Sequence, residues 1–190
     1  MRSELIGINI KLFNSSKNWT TTSFFILILL SLYEFEKNKN YVSYNELKPY
    51  ANFKRTTFNK QMKIFADKGY LIPCKTYNSS LNRYRRYYFP KIFQENRQLL
   101  FVSSAFLLTL INFVNEKKLN KTQFRIFLHL KYKEFKKVNV ELLNQSMLAV
   151  SMGLTRNAVH IALKNIDSEV ISYLNLNFEK DFFYIYCFIC

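Results

Sequence analysis

Residues 53–73 read FKRTTFNKQMKIFADKGYLIP. Phe58, Met62, Phe65 and Ala66 recur at helical spacing and share one stripe, which must face a core. The opposite side carries Thr56, Asn59, Lys60 and Lys63, with Lys54 and Arg55 at the N-terminal end. This pattern predicts a helix over about 54–68, and Gly69 suits the C′ position that closes it. A strand is expected at Tyr70–Thr76, a polar tip at Asn78-Ser79-Ser80 and a returning strand at Arg83–Phe89. The returning strand includes Asn82-Arg83-Tyr84-Arg85-Arg86-Tyr87-Tyr88, three arginines and three tyrosines in one short segment.

Working outward, the same organisation recurs about 100 residues later. Thr22, Phe24, Ile26, Leu30, Glu34 and Phe35 return as Thr122, Phe124, Ile126, Leu130, Glu134 and Phe135 at an offset of 100. Arg55, Phe58, Met62 and Lys63 face Arg156, Val159, Leu163 and Lys164 at an offset of 101. Matched helices in the same order, with one residue of slippage, read as an internal duplication. Each copy opens with a long apolar helix, about 22–37 and 122–137. A second helix follows, SYNELKPYA with a capping box from Ser43 to Glu46, or LNQSMLAVSM. The third helix is about 54–68 or 156–167. Thr155 is a natural N-cap for the later one, after a turn in which Gly153 takes a positive φ. Two strands close the second copy, expected at Val170–Phe178 and Phe182–Cys190. The Leu99–Val114 run, LLFVSSAFLLTLINFV, is expected to form a connecting helix.

The expected fold class is therefore α+β and mainly α, with two tandem domains of three helices plus a β-hairpin. The domains are residues 1–95 and 96–190, the connecting helix belonging to the second. Three helices then a hairpin, with the second and third helices tightly joined, is the layout of a winged helix. Residues 22–86 are similar to MarR- and SarA-type regulators, with Lys68-Gly69-Tyr70-Leu71-Ile72 entering the wing. SMLAVSMGLTRNAVHIALKNID resembles helix-turn-helix segments of plasmid and phage regulators and replication initiators. The resemblance implies sequence-specific binding of double-stranded DNA, in a transcriptional or replication role.

Charge agrees with a polyanionic partner. The 190 residues carry 28 Lys and Arg against 13 Asp and Glu, a net +15, and clustered cations displace counterions from a phosphate backbone. Residues 1–97 hold 17 basic and 6 acidic side chains, residues 98–190 only 11 and 7, so the first copy is expected to be the main reader. A recognition helix in the major groove would present Lys54, Arg55, Thr56, Asn59, Lys60 and Lys63. Arg83, Arg85 and Arg86 would lie in the wing, along the backbone or minor groove. In the second copy the corresponding set is Thr155, Arg156, Asn157, His160 and Lys164, but Ile161 replaces the lysine aligned with it and the wing FEKDFFYIYCFIC has no arginine. That copy is expected to bind weakly, to read thymine methyls through Ile161, or to contact protein.

Other chemistries find little support. Only Gly7, Gly69 and Gly153 occur, too few and too scattered for a P-loop or a dinucleotide-binding loop. Cys187 and Cys190 have metal-like spacing, yet on a strand two side chains three positions apart would face opposite sides, and only Cys74, His129 and His160 remain to complete a zinc site. Neither catalytic residues nor a metal or cofactor is expected. SFFILILLSLY at 23–33 is too short to span a bilayer and the start lacks a signal-peptide pattern, so a cytoplasmic protein without membrane association is expected. It would act as a pseudo-dimeric monomer or a homodimer. Three roles remain: a transcriptional regulator, a replication initiator or DNA-transfer accessory protein of a mobile element, or a protein-interaction module without DNA binding.

Overall fold

The computed structural model describes residues 5–14, 18–37, 41–75, 85–88, 99–136, 144–174, 176–179 and 182–185, with 73–75, 85–88 and everything past 175 described by backbone alone. The chain is a mainly helical α+β protein. In order, it forms β1 (Leu5–Asn9), α1 (Lys11–Asn14), α2 (Thr21–Lys37), β2 (Tyr41–Val42), α3 (Tyr44–Leu47), α4 (Arg55–Asp67), β3 (Ile72–Lys75), β4 (Arg85–Tyr88) and β5 (Leu99–Ser103). There follow α5 (Ser104–Asn115), α6 (Lys121–Phe135), α7 (Gln145–Met152), α8 (Arg156–Lys164), α9 (Ser168–Leu174), β6 (Leu176–Glu179) and β7 (Phe182–Ile185). No helix among the described residues is long and apolar enough to cross a membrane.

Two compact units emerge, neither continuous in sequence. Unit 1 takes the chain up to Asn9 and Ile26–Ser104; unit 2 takes Ile10–Phe25 and everything from Ala105 onward.

Unit 1 contains a three-stranded antiparallel sheet in the order β2-β4-β3, with Val42 paired to Tyr87 and Cys74 to Arg86. Its helix α3 stops at Leu47, shorter than SYNELKPYA suggested, because Pro49 has no N–H to extend the ladder. The Glu46 carboxylate accepts the Ser43 N–H (2.8 Å), as the capping box predicts, and also the Ser43 hydroxyl (2.6 Å). Phe58, Met62 and Phe65 of α4 are buried, and Phe53 stacks on Phe58 with ring centres 6.3 Å apart. Helix α4 ends in a Schellman turn. Gly69 takes φ +75°, its N–H reaching Ala66 O at 2.9 Å, while the Tyr70 N–H reaches Phe65 O at 2.8 Å.

Two expectations fail in instructive ways. Leu99–Ser103 is a strand, paired antiparallel with β1 from Leu5↔Ser103 to Asn9↔Leu99, so the helix expected from Leu99 starts only at Ser104. Leu100 and Val102 turn inward beside Ile6 and Ile8, an alternation that a continuous apolar run hides and that a partner 94 positions away reveals. Val170–Leu174, expected as strand, belongs to α9, whose Val170 and Leu174 are buried one turn apart; the strand begins at Leu176.

In unit 2 the long helix α6 is the central element, buried along Gln123–Leu130. Phe13 stacks on its Tyr132 (4.8 Å between centres) and Phe25 meets its Phe124 edge-on (4.9 Å). From Thr21 to Leu32 in α2 and from Lys121 to Tyr132 in α6, residues 100 apart are buried or half-buried alike at every position.

Helix α5 ends with Lys117 at φ 63°, the non-glycine residue with positive φ among those described. The Lys118 N–H reaches Phe113 O at 3.0 Å, the arrangement that elsewhere uses Gly69. Lys117→Gly should therefore raise stability by about 0.5–1 kcal/mol, read as an upward shift of the urea midpoint at unchanged slope.

His129 of α6 is buried, and its Nε2 lies 2.9 Å from Ser151 Oγ. Because that hydroxyl already donates to Leu148 O (2.9 Å), the imidazole donates through Nε2–H and is neutral. Burial, helped by the charges of Lys133 and Arg125, lowers its pKa to about 3. The unfolded chain takes up this proton near pH 6.5 and the native state does not, so stability is full above about pH 7 and falls as pH drops toward 3. A loss of about 1–2 kcal/mol between pH 7.5 and 5 is expected in urea titrations, and it should be absent in His129→Leu.

Candidate nucleic-acid interface

Helix α4 buries positions 58, 61, 62 and 65, and positions 55, 56, 59, 60 and 63 turn outward. Lys54 at the N-cap and Arg55, Thr56, Asn59, Lys60 and Lys63 are all exposed, as the sequence predicts. No acidic residue interrupts residues 54–66, which leaves the outward face uniformly cationic and polar. Gln61 departs from the sequence reading. It is a buried polar residue at a position outside the expected stripe of Phe58, Met62, Phe65 and Ala66.

In unit 2, α7 and α8 are joined by a two-residue turn after Gly153, which adopts φ 64°. The Thr155 side chain caps α8 by accepting the Ala158 N–H at 3.1 Å, which leaves its own O–H as a donor. Val159, Ala162 and Leu163 are buried, while Arg156, Asn157, His160, Ile161 and Lys164 are exposed. The burial of α8 repeats that of α4. From Arg55/Arg156 to Lys63/Lys164, all nine aligned positions are exposed, half-buried or buried in the same sequence. The five outward pairs are Arg55/Arg156, Thr56/Asn157, Asn59/His160, Lys60/Ile161 and Lys63/Lys164. Among the described residues, none of Lys54, Arg55, Lys60, Lys63, Arg156 and Lys164 is held by a carboxylate.

Two buried polar side chains of α6 set the position of this pair of helices. Gln123 Nε2 donates to Ala162 O (2.8 Å) and Asn165 O (2.9 Å) at the C-terminal end of α8, while its Oε1 accepts the Asn120 N–H at 2.6 Å. Arg125 donates through Nη2 to Met152 O at the end of α7 and through Nη1 to Trp19 O (2.9 Å). Its guanidinium lies 5.5 Å from the Phe24 ring centre, and burial lowers its pKa to about 10. A cation at a helix C-terminus meets the last carbonyls and the negative end of the helix dipole, which favours a buried arginine at this place. Neither residue stood out in the sequence. Both sit within an apolar helical pattern, where the position of the carbonyls they serve is invisible.

Of the expected wing residues, Arg85 and Arg86 lie on β4, opposite Lys75 and Cys74 of β3. Arg83 and the hairpin tip lie outside the described residues, as do Cys187 and Cys190. The hairpin of unit 2 pairs Leu176 with Ile185 and Glu179 with Phe182. On α7, Met147 and Val150 are exposed, the latter by 78%. The continuous apolar run from Met147 to Val150 conceals them in the sequence. Among the described residues no three His, Cys, Asp or Glu side chains gather.

Compared with family models, with curated proteins and with solved structures, the chain finds no match.

Proposed function

We propose that the chain is a sequence-specific double-stranded DNA-binding protein of two winged-helix units, acting as a transcriptional regulator. The observation that carries this reading is the shared exposure pattern of Arg55–Lys63 and Arg156–Lys164, which puts cationic and amide side chains on one outward face of each third helix. Arginine and asparagine can each make paired hydrogen bonds to base edges, and lysine and threonine hold phosphates. The sheet order β2-β4-β3 supports it further, since the hairpin strand with Arg85 and Arg86 is tied through β2 to the segment leading into α3. A solvated helix face would need neither the repeated register nor the absence of acidic residues along it.

A replication initiator would use the same surface on repeated sites. A protein-interaction role draws on a separate observation, the exposed Met147, Val150 and Ile161 of unit 2.

Selection of bound duplexes from a random pool, followed by mobility-shift titration at several salt concentrations, tests the proposal. A consensus bound with salt-dependent affinity is the expected result. Absence of salt-dependent duplex binding would leave only the protein-interaction role. Mapping bound genomic or plasmid DNA then separates promoters from iterated origin repeats.

A further inference from the structure

The outward faces of α4 and α8 agree in geometry and disagree in chemistry at one central position. Lys60 in α4 corresponds to Ile161 in α8, and the isoleucine is 51% exposed. Single exposed apolar residues are ordinary, so exposure alone carries nothing. Position is what distinguishes this one. Asn157 precedes it by one turn, His160 adjoins it and Lys164 follows three residues later, all exposed on the same face. Of its neighbours one turn away on the helix, Asn157 and Lys164 are polar and only the small Ala158 is apolar, and a β-branched residue has poorer helix propensity than the lysine found at the matching site.

We infer that Ile161 is a specificity-determining residue that packs against a thymine 5-methyl group in the major groove, an inference that rests on the DNA-binding reading above. The thymine methyl is the apolar group that base edges present in that groove, and a branched aliphatic side chain can meet it but cannot hydrogen-bond to any edge. Asn157, one turn toward the N-terminus, has the donor and acceptor to pair with an adenine edge. Unit 2 is then matched to a half-site bearing A·T pairs. In unit 1, Lys60 at the same register offers only a positive charge and donors, which suit guanine acceptors or a phosphate. The complete site is accordingly two related half-sites that differ under this position, and not two identical ones.

The experiment uses the full chain and the duplex obtained by random-pool selection, with each thymine replaced in turn by uracil, which removes the methyl and nothing else. At fixed salt, one or two replacements should weaken wild-type binding about fourfold, the factor expected for one buried methyl. That sensitivity should disappear in Ile161→Lys and persist in Ile161→Val. Ile161→Lys should also steepen the salt dependence, since it supplies the charge present at Lys60. Position 161 is exposed, so neither variant disturbs the core. Equal uracil responses in wild type and Ile161→Lys at every thymine would overturn the inference while leaving DNA binding intact. Absence of salt-dependent duplex binding by the wild type would overturn both readings together.

Discussion

Replacing Arg125 with methionine is expected to destabilise the protein by about 3–5 kcal/mol, the largest effect of any single substitution discussed for this chain. The cost does not come from lost volume, which methionine largely restores. It comes from two backbone carbonyls, Trp19 O and Met152 O, that lose their donors inside a core where water does not replace them. Arg125→Lys should recover only part of the loss, because an ammonium is a compact charge and cannot present two separated N–H groups in a fixed fork. Urea titration read through the fluorescence of Trp19 provides the measurement. It is the only tryptophan in the chain and lies at one end of the arginine's hydrogen bonds. A midpoint change below about 1 kcal/mol in equivalent free energy would show that the carbonyls find other partners. The Met152 carbonyl ends α7, so the same substitution should also weaken duplex binding through unit 2 under conditions where the fold persists.

The second large effect concerns the outward face of α4. The triple variant Arg55→Ala, Lys60→Ala, Lys63→Ala should bind the selected duplex about a hundredfold more weakly near 0.15 M salt, with the slope of log K against log salt reduced by about two to three. The three side chains are exposed and none contributes to the core, so the urea midpoint should stay within about 0.5 kcal/mol of wild type. The double variant Arg156→Ala, Lys164→Ala in unit 2 should cost less, because fewer cations surround it: 11 basic and 7 acidic residues over 98–190 against 17 and 6 over 1–97. Equal losses for the two variants would mean that the units read DNA equally. Unchanged binding for the triple variant would remove α4 from the interface.

Much of the local structure was legible in FKRTTFNKQMKIFADKGYLIP. The period of Phe58, Met62 and Phe65 identified the buried stripe, and with it the outward set from Lys54 to Lys63. Gly69 marked a positive φ that the Schellman turn requires. The caps at Ser43 and Thr155 were equally readable, because capping depends on residues three positions apart. These are short-range effects, and a linear sequence states them directly.

What failed lay at longer range. Leu99–Ser103 is a strand because Leu5–Asn9 supplies its hydrogen-bond partners, and nothing within LLFVSSAFLLTLINFV distinguishes that from the start of a helix. Buried Arg125 and Gln123 are polar because helix ends 27 and 39 residues away leave carbonyls to be satisfied. The exposure of Ile161 could be anticipated from its register, whereas that of Val150 depends on which side of α7 the rest of unit 2 covers. By itself, then, the sequence determined helices α2, α4, α6, α7 and α8, the caps at Ser43, Gly69 and Thr155, the outward faces of α4 and α8 and the unequal charge of the two halves, since periodicity and capping are local. Only the tertiary structure decided the β1–β5 pairing, the discontinuous division into two units and the buried polar anchors, since each depends on partners brought together from distant parts of the chain.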